Sequence, residues 1–198
     1  MRFLLTKGGL YKVYNNNLLY HGSVPLTADG ELKEVEIYGR SYKGKALYDE
    51  LESYVRKGFF ALDEKERQDG KDIMWYIWLH RDSPLFGKNK MATFERYFLA
   101  EKETHIEKKN AYYNLIEDER VIDRIMMEFG LDPDHAHIVN GHVPVKRKDG
   151  ENPVKCGGKV LVIDGGFSKA YQKQTGIAGY TLIYNSYGMR LVALEPFE

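Results

Sequence analysis

Two histidines stand at matching places in the chain. His21 follows the apolar run Asn17-Leu18-Leu19-Tyr20 and is followed by Gly22, while His142 follows Ala136-His137-Ile138-Val139-Asn140-Gly141. Imidazole is the commonest nitrogen ligand for divalent transition metals, so a matched pair invites one metal site. The plainer alternative for either ring is a strand-end histidine satisfied by a backbone carbonyl. Hydrolytic centres with two ions also need several carboxylates. Asp164, in Asp164-Gly165-Gly166, is the first to consider, although Asp-Gly-Gly is equally an ordinary turn. His135 and His137 lie two apart, which would suit chelation from one face of a strand, unless His135 simply ends the exposed loop after Asp132-Pro133-Asp134.

Four cations, Arg81, Lys88, Lys90 and the nearby Arg96, gather around a loop containing Gly87. Such a loop can collect a phosphate; the alternative is solvated charged surface. Lys169, Tyr171 and Lys173 follow the glycine pair as a polar lip or as plain surface. Ser83 and Ser168 lack a Gly-x-Ser-x-Gly elbow, so serine chemistry is set aside. Cys156 lies between Lys155 and Gly157-Gly158, where cations would lower its pKa, yet a single thiol without a local partner is more simply incidental.

These residues need a sheet to carry them. Arg2 to Thr6, Leu10 to Tyr14 and Leu18 to Tyr20 read as short strands, and the alternation at Val35, Ile37 and Tyr38 suggests a brief edge strand or an ordered loop. Leu47, Leu51, Tyr54, Val55, Gly58, Phe59 and Leu62 recur at helical steps, and Asp72 to Leu79, rich in Trp75, Tyr76, Ile77 and Trp78, reads as a buried helix ending near His80. Thr93 to Leu99 has helical spacing, Lys102 to Lys109 is a charged exposed linker, and Ile116 to Phe129 is the clearest helix, stopped by Gly130. Its Met126-Met127 pair suits core filling. Val160 to Ile163 is a strand entering Asp164, and Tyr180 to Tyr184 with Met189 to Leu194 make a hairpin. The pattern predicts an α/β chain: residues 1–28 and 131–198 supply the strands of a sheet core, and residues 29–130 form a mostly helical insertion.

At 198 residues with 43% hydrophobic content the chain can bury an ordinary core. Its 29 Lys and Arg balance 29 Asp and Glu, so no global field directs it to nucleic acid, although local basic patches are allowed. It shows no signal peptide, no run of about 18 apolar residues to span a membrane, and only one cysteine, which together point to the cytoplasm.

The order of His21-Gly22, a helical insertion, Gly141-His142-Val143-Pro144, Asp164-Gly165-Gly166 and a closing hairpin resembles the C-terminal half of calcineurin-like metallophosphoesterases. More closely, Asp82-Ser83-Pro84-Leu85-Phe86-Gly87-Lys88, Met91-Ala92-Thr93-Phe94-Glu95-Arg96-Tyr97-Phe98, Asn140-Gly141-His142-Val143-Pro144-Val145 and Ile163-Asp164-Gly165-Gly166-Phe167-Ser168-Lys169-Ala170-Tyr171 are similar to class 3 fructose-1,6-bisphosphatase, the type found in Firmicutes. The run from Thr175 to Gly188 extends the likeness over nearly the whole chain.

The resemblance implies the C-terminal half of a metallophosphoesterase-like β-sandwich with flanking helices. It implies that His21 and His142 are ligands of one ion in a two-metal centre, usually manganese, and that the reaction is hydrolysis of the 1-phosphate of fructose 1,6-bisphosphate. Arg81 and Lys88, with Lys169 and Tyr171, are the expected substrate phosphate-binding residues. No catalytic residue is assigned within this half. The superfamily's Asp-x-His, Gly-Asp-x-x-Asp-Arg-Gly and Gly-Asn-His motifs do not occur in this sequence. The chain is therefore expected to be the C-terminal portion, inactive alone, with the missing N-terminal half as its partner and self-association as a consequence of unpaired sheet edges. Two rivals stand beside this reading: a protein-serine/threonine or dinucleoside-polyphosphate phosphatase of the same superfamily, and a non-catalytic folded fragment.

Overall fold

The computed structural model describes residues 2–195. In chain order its elements are α1 (Arg2–Lys7), β1 (Tyr11–Tyr14), β2 (Asn17–Tyr20), β3 (Val35–Ile37), β4 (Arg40–Tyr42), α2 (Gly44–Phe60), α3 (Glu64–Leu79) and α4 (Thr93–Phe98). After these come α5 (Ala111–Leu115), α6 (Glu119–Glu128), β5 (His137–Asn140), β6 (Val154–Lys155), β7 (Val160–Val162), α7 (Lys169–Thr175), β8 (Gly179–Asn185) and β9 (Gly188–Leu194). The architecture is mixed α/β. The chain divides into two units: Met1–Tyr11 with Ser23–Leu115, and Lys12–Gly22 with Ile116–Glu198.

In the first unit, Arg2 to Thr6 is a helix and not the expected strand. A run of five residues rich in apolar side chains looks alike in either state, and here the Thr6 hydroxyl donates to the carbonyls of Arg2 and Phe3, closing the turn locally. The alternation at Val35 to Tyr38 proves to be one arm of a two-stranded hairpin, β3 and β4. Tyr38 and Gly39 both take positive φ, 48° and 78°, the pairing that a two-residue turn between twisted strands requires. Helix α3 begins at Asp63, whose carboxylate accepts the Glu66 N–H at 2.8 Å.

The α3 stripe that turns inward is Gly70, Ile73 and Ile77, and the two isoleucines join Leu47 and Leu51 of α2 and Val35 and Ile37 of β3 in one core. One helix buries one stripe, so Trp75 and Trp78 on the other side are 66% and 68% exposed, and the tryptophan-rich segment is not the buried helix its composition suggested. Leu62 likewise falls outside the helical face assigned to it and is 97% exposed. The linker expected over Lys102 to Lys109 is instead folded back. It contains a 3-10 turn, Lys102–His105, and exchanges backbone and side-chain hydrogen bonds with Asn89 and Lys90.

The second unit holds a five-stranded sheet in the order β1-β2-β5-β7-β6. Strands β2, β5 and β7 run parallel, with Leu19 opposite Val139 and Asn140 opposite Val162, and β6 pairs antiparallel to β7. Leu18, Ile138 and Val160 on one face are fully buried. Helix α6 starts at Glu119, after its Asp118 cap and three residues later than its periodicity suggested, and buries Val121, Ile122, Ile125 and Met126. Met127 is 60% exposed, so the methionine pair is split between core and solvent. Lys159, just before β7, is paired with Asp123 at 2.5 Å and Glu119 at 2.9 Å of α6. Strands β8 and β9 form the expected hairpin, closed where Asn185 faces Gly188. Among the described residues no helix is long and apolar enough to cross a membrane.

Candidate functional site

The parallel pairing of β2 with β5 decides where the two histidines go. With Leu19 beside Val139, both strands end at the same edge of the sheet, and the backbone continues the rung: Gly141 N–H donates to the His21 carbonyl at 2.9 Å. Ligand sites in open parallel sheets lie beyond these carboxyl ends. His142 takes a left-handed backbone, φ 68°, which is uncommon for a non-glycine residue and aims its ring back toward β2. As a result His21 Nε2 and His142 Nδ1 stand 2.9 Å apart, with the rings tilted 67° to one another.

Asn140 ends β5 and is 1% exposed, and its side-chain amide donates to the Gly22 carbonyl at 2.9 Å. This residue went unnoticed in the sequence, where an asparagine before glycine reads only as a turn signal. On the third parallel strand, Asp164 follows β7. Its carbonyl accepts the Val145 N–H at 2.8 Å and its carboxylate accepts the Gly166 N–H at 2.9 Å, so it joins the loops after β5 and β7. A Cβ on Gly141 would sit 3.4 Å from that of Asp164, which leaves little room between them.

Burial holds the His21 imidazole below its ordinary 6.5, the charge of a protonated His142 pushes the same way, and Asp164 opposes both. His21 is therefore neutral at pH 7, with a lone pair to offer. Two cis nitrogen donors bound at about 2.1 Å to one ion lie about 3 Å apart, so the 2.9 Å separation suits two corners of a single metal. Among the described residues, no group of three or more His, Cys, Asp or Glu side chains is placed to hold an ion.

The other candidates fall in different surroundings. Tyr171, on α7 and 53% exposed, lies over the loops of the second unit: a Cβ on Gly166 would meet its Cβ at 2.6 Å and Pro144 Cγ at 3.9 Å. Lys169 starts the same helix and is exposed. Arg81 and Lys88 belong to the first unit. Arg81 is exposed beside Asp82, 3.8 Å away. Lys88 bonds to Glu107 at 2.8 Å, and Arg96 stands 3.3 Å from the other oxygen of the same carboxylate, which also accepts the Ala92 N–H. Burial works to raise the Glu107 pKa, but the Lys88 hydrogen bond, the Ala92 N–H and the two cations outweigh it and hold it low.

His137 is half-buried on β5, and His135 is exposed beside Asp132. Ser83 is buried with its hydroxyl on the Ile77 carbonyl, and Ser168 caps α7. Cys156 shows the reverse of the expected effect: burial, with Glu119 and Glu117, raises its pKa above the ordinary thiol value, and Lys159 opposes them only in part.

A family model described as Firmicute fructose-1,6-bisphosphatase matches residues 1–198. The chain belongs to that family. Among curated members, the class 3 fructose-1,6-bisphosphatase of Clostridium botulinum strain Hall is 58% identical over 199 residues, covering 100% of this chain and 30% of that protein. The class 3 enzyme of strain Alaska E43 is 57% identical with the same coverage, and one from Clostridium beijerinckii is 54% identical over 198 residues. The chain thus spans 30% of the length of these Firmicute fructose-1,6-bisphosphatase relatives. No solved structure matches it.

Proposed function

We propose that this chain is the C-terminal portion of a metal-dependent phosphatase that hydrolyses fructose 1,6-bisphosphate to fructose 6-phosphate and phosphate in the cytoplasm, and that it supplies one side of the metal centre. The observation that carries the reading is the pair His21 Nε2 and His142 Nδ1, 2.9 Å apart at the ends of adjacent parallel strands. His21 and His142 offer two ring nitrogens to one ion, manganese in this reading. The anionic ligands come from the polypeptide that makes up the rest of the relatives' length. When bound, the two ions stabilise the charge on the attacking and leaving oxygens of the phosphoryl group.

The chain's own residues orient the substrate. Tyr171 and Lys169 on α7 form a polar lip beside the histidine loops, offering a hydroxyl and a cation to a phosphate. Arg81, and Lys88 held by Glu107, are the phosphate-binding candidates of the first unit. The mostly helical segment, residues 29–130, is an insertion between sheet strands.

The sheet core reads as one half of a metallophosphoesterase-like sandwich. Leu19 on its second face is 37% exposed, and a cavity of about 710 Å³, lined by Leu19, Val139 and Ile163 of that face and by Tyr180, Leu182 and Met189 of the hairpin, leaves space for further packing. Self-association of the isolated chain through that face follows.

The test is phosphate release with added manganese, measured for this chain and for a full-length class 3 enzyme carrying His142→Ala in this segment. The isolated chain is expected to show no turnover and the full-length variant a loss of at least about 100-fold. A full-length variant with unchanged kcat/KM would overturn the site. A profile favouring phosphoserine peptides or dinucleoside polyphosphates would overturn the substrate.

A further inference from the structure

We infer that Asn140 is the positioning residue that sets the separation of the two histidine rings, and through it the affinity of this half-site for a divalent cation. The inference rests on the metal reading above and adds to it a residue that is not one of the two proposed ligands.

The argument starts where the ladder stops. Strands β2 and β5 pair through Leu19 and Val139, and the Gly141 N–H to His21 carbonyl bond carries the backbone pairing beyond both strands. At the next residue of the β5 loop, His142 turns into the left-handed region. The Gly22 carbonyl lies at the base of the His21 loop, and the Asn140 side-chain amide donates to it across 118 residues of sequence. Asn140 is in turn fixed at its own backbone, where its carbonyl accepts the Ile163 N–H at 2.9 Å from the β7 side. One buried side chain therefore ties the loop carrying His21 to the central strand that leads into His142. Groups that orient ligands in this way govern metal affinity although they never touch the ion.

The test uses the 198-residue chain with Asn140→Leu, which keeps the volume and removes the donor, and Asn140→Ser, a smaller disturbance of the core. Two readouts are taken. The first is the pairing of the His21 and His142 ring nitrogens by long-range proton–nitrogen NMR without metal. The second is manganese affinity by water-proton relaxation. N140L is expected to lose the ring pairing and to bind manganese about 10- to 100-fold more weakly than the unmodified chain, with N140S between the two. Ile122→Val, in the core of the same unit, is expected to change neither.

Retention of the ring pairing in N140L, or in N140S should N140L fold poorly, overturns the inference. So does an equal loss in I122V, since any weakening of the core would then suffice. If the unmodified chain binds no manganese while N140L still loses the ring pairing, the metal reading fails and the positioning role stands.

Discussion

At the level of single residues, the backbone of His142 sets the site apart from an ordinary loop. A φ of 68° is disfavoured for any residue with a Cβ, so the ring is held where it is at some expense of stability. His142→Ala and His142→Gly remove the same ring but differ in their tolerance of that backbone. H142G is expected to be more stable than H142A by about 1 kcal/mol in urea unfolding, whereas equal midpoints would mean that the left-handed turn is not kept. His137 gives a pH dependence. Burial holds its folded pKa below the unfolded 6.5, so above pH 6.5 it is neutral in both states. As pH falls through 6.5 the unfolded chain takes up the proton first, and stability drops until the folded ring titrates too. Unfolding midpoints should therefore fall between pH 7.5 and 5.5, and less steeply in His137→Phe. A steeper fall in the variant would reverse the sign of the effect. Residue placement was readable in part. An apolar run ending in His-Gly or Gly-His marked both histidines, because a short apolar run stopped by glycine reads as a strand end. Asn140 carried no such mark, since its amide works through a contact 118 residues away.

Among the elements, α2 and α3 meet backbone to backbone. A Cβ on Gly70 would fall 2.2 Å from the Gly58 nitrogen and 2.4 Å from the Tyr54 carbonyl oxygen, so neither helix can yield by moving a side chain. Gly70→Ala is expected to cost about 3 kcal/mol, near the upper end for overpacking, by forcing the helices apart. Gly130, with φ 77° and open space around it, supplies the comparison: Gly130→Ala should cost about 1 kcal/mol through strain alone. Chemical denaturation of the two variants side by side decides this, and similar losses would show that the crossing relaxes freely. The same pair of helices explains a misreading. The sequence contains two tryptophans, and both lie on the outer side of α3. Iodide should quench the fluorescence of the isolated chain almost completely, whereas a large inaccessible fraction would place one ring under cover. Composition identified the helix but not its inward stripe, because Ile73 and Ile77 mark a face only when Gly70 is recognised as the contact point. In the same way, Phe3-Leu4-Leu5 gave no means of choosing strand or helix over so short a run.

At the scale of the whole molecule, the sheet of the second unit is assembled from distant stretches of chain. Strand β2 sits between β1 and β5, and its histidine meets a partner 121 positions later. The core of the first unit, by contrast, is made by α2 and α3, which are joined by a short turn. Local pairings of this kind form early and distant ones late. During synthesis at about 5–20 residues per second, His21 would emerge roughly 6–24 s before the residue it pairs with. Throughout that interval β2 lacks β5, and Leu18, fully buried in the finished fold, lacks Ile138 beside it. Pulsed hydrogen exchange during refolding should thus protect the amides of α2 and α3 before those of β2 and β5; simultaneous protection would mean that the two units fold as one. The order of the elements along the chain gives the histidine pair a timing as well as a geometry: it can form only after the long intervening segment has been made, and a ribosome that stalls within that segment leaves a strand exposed to chaperones and proteases.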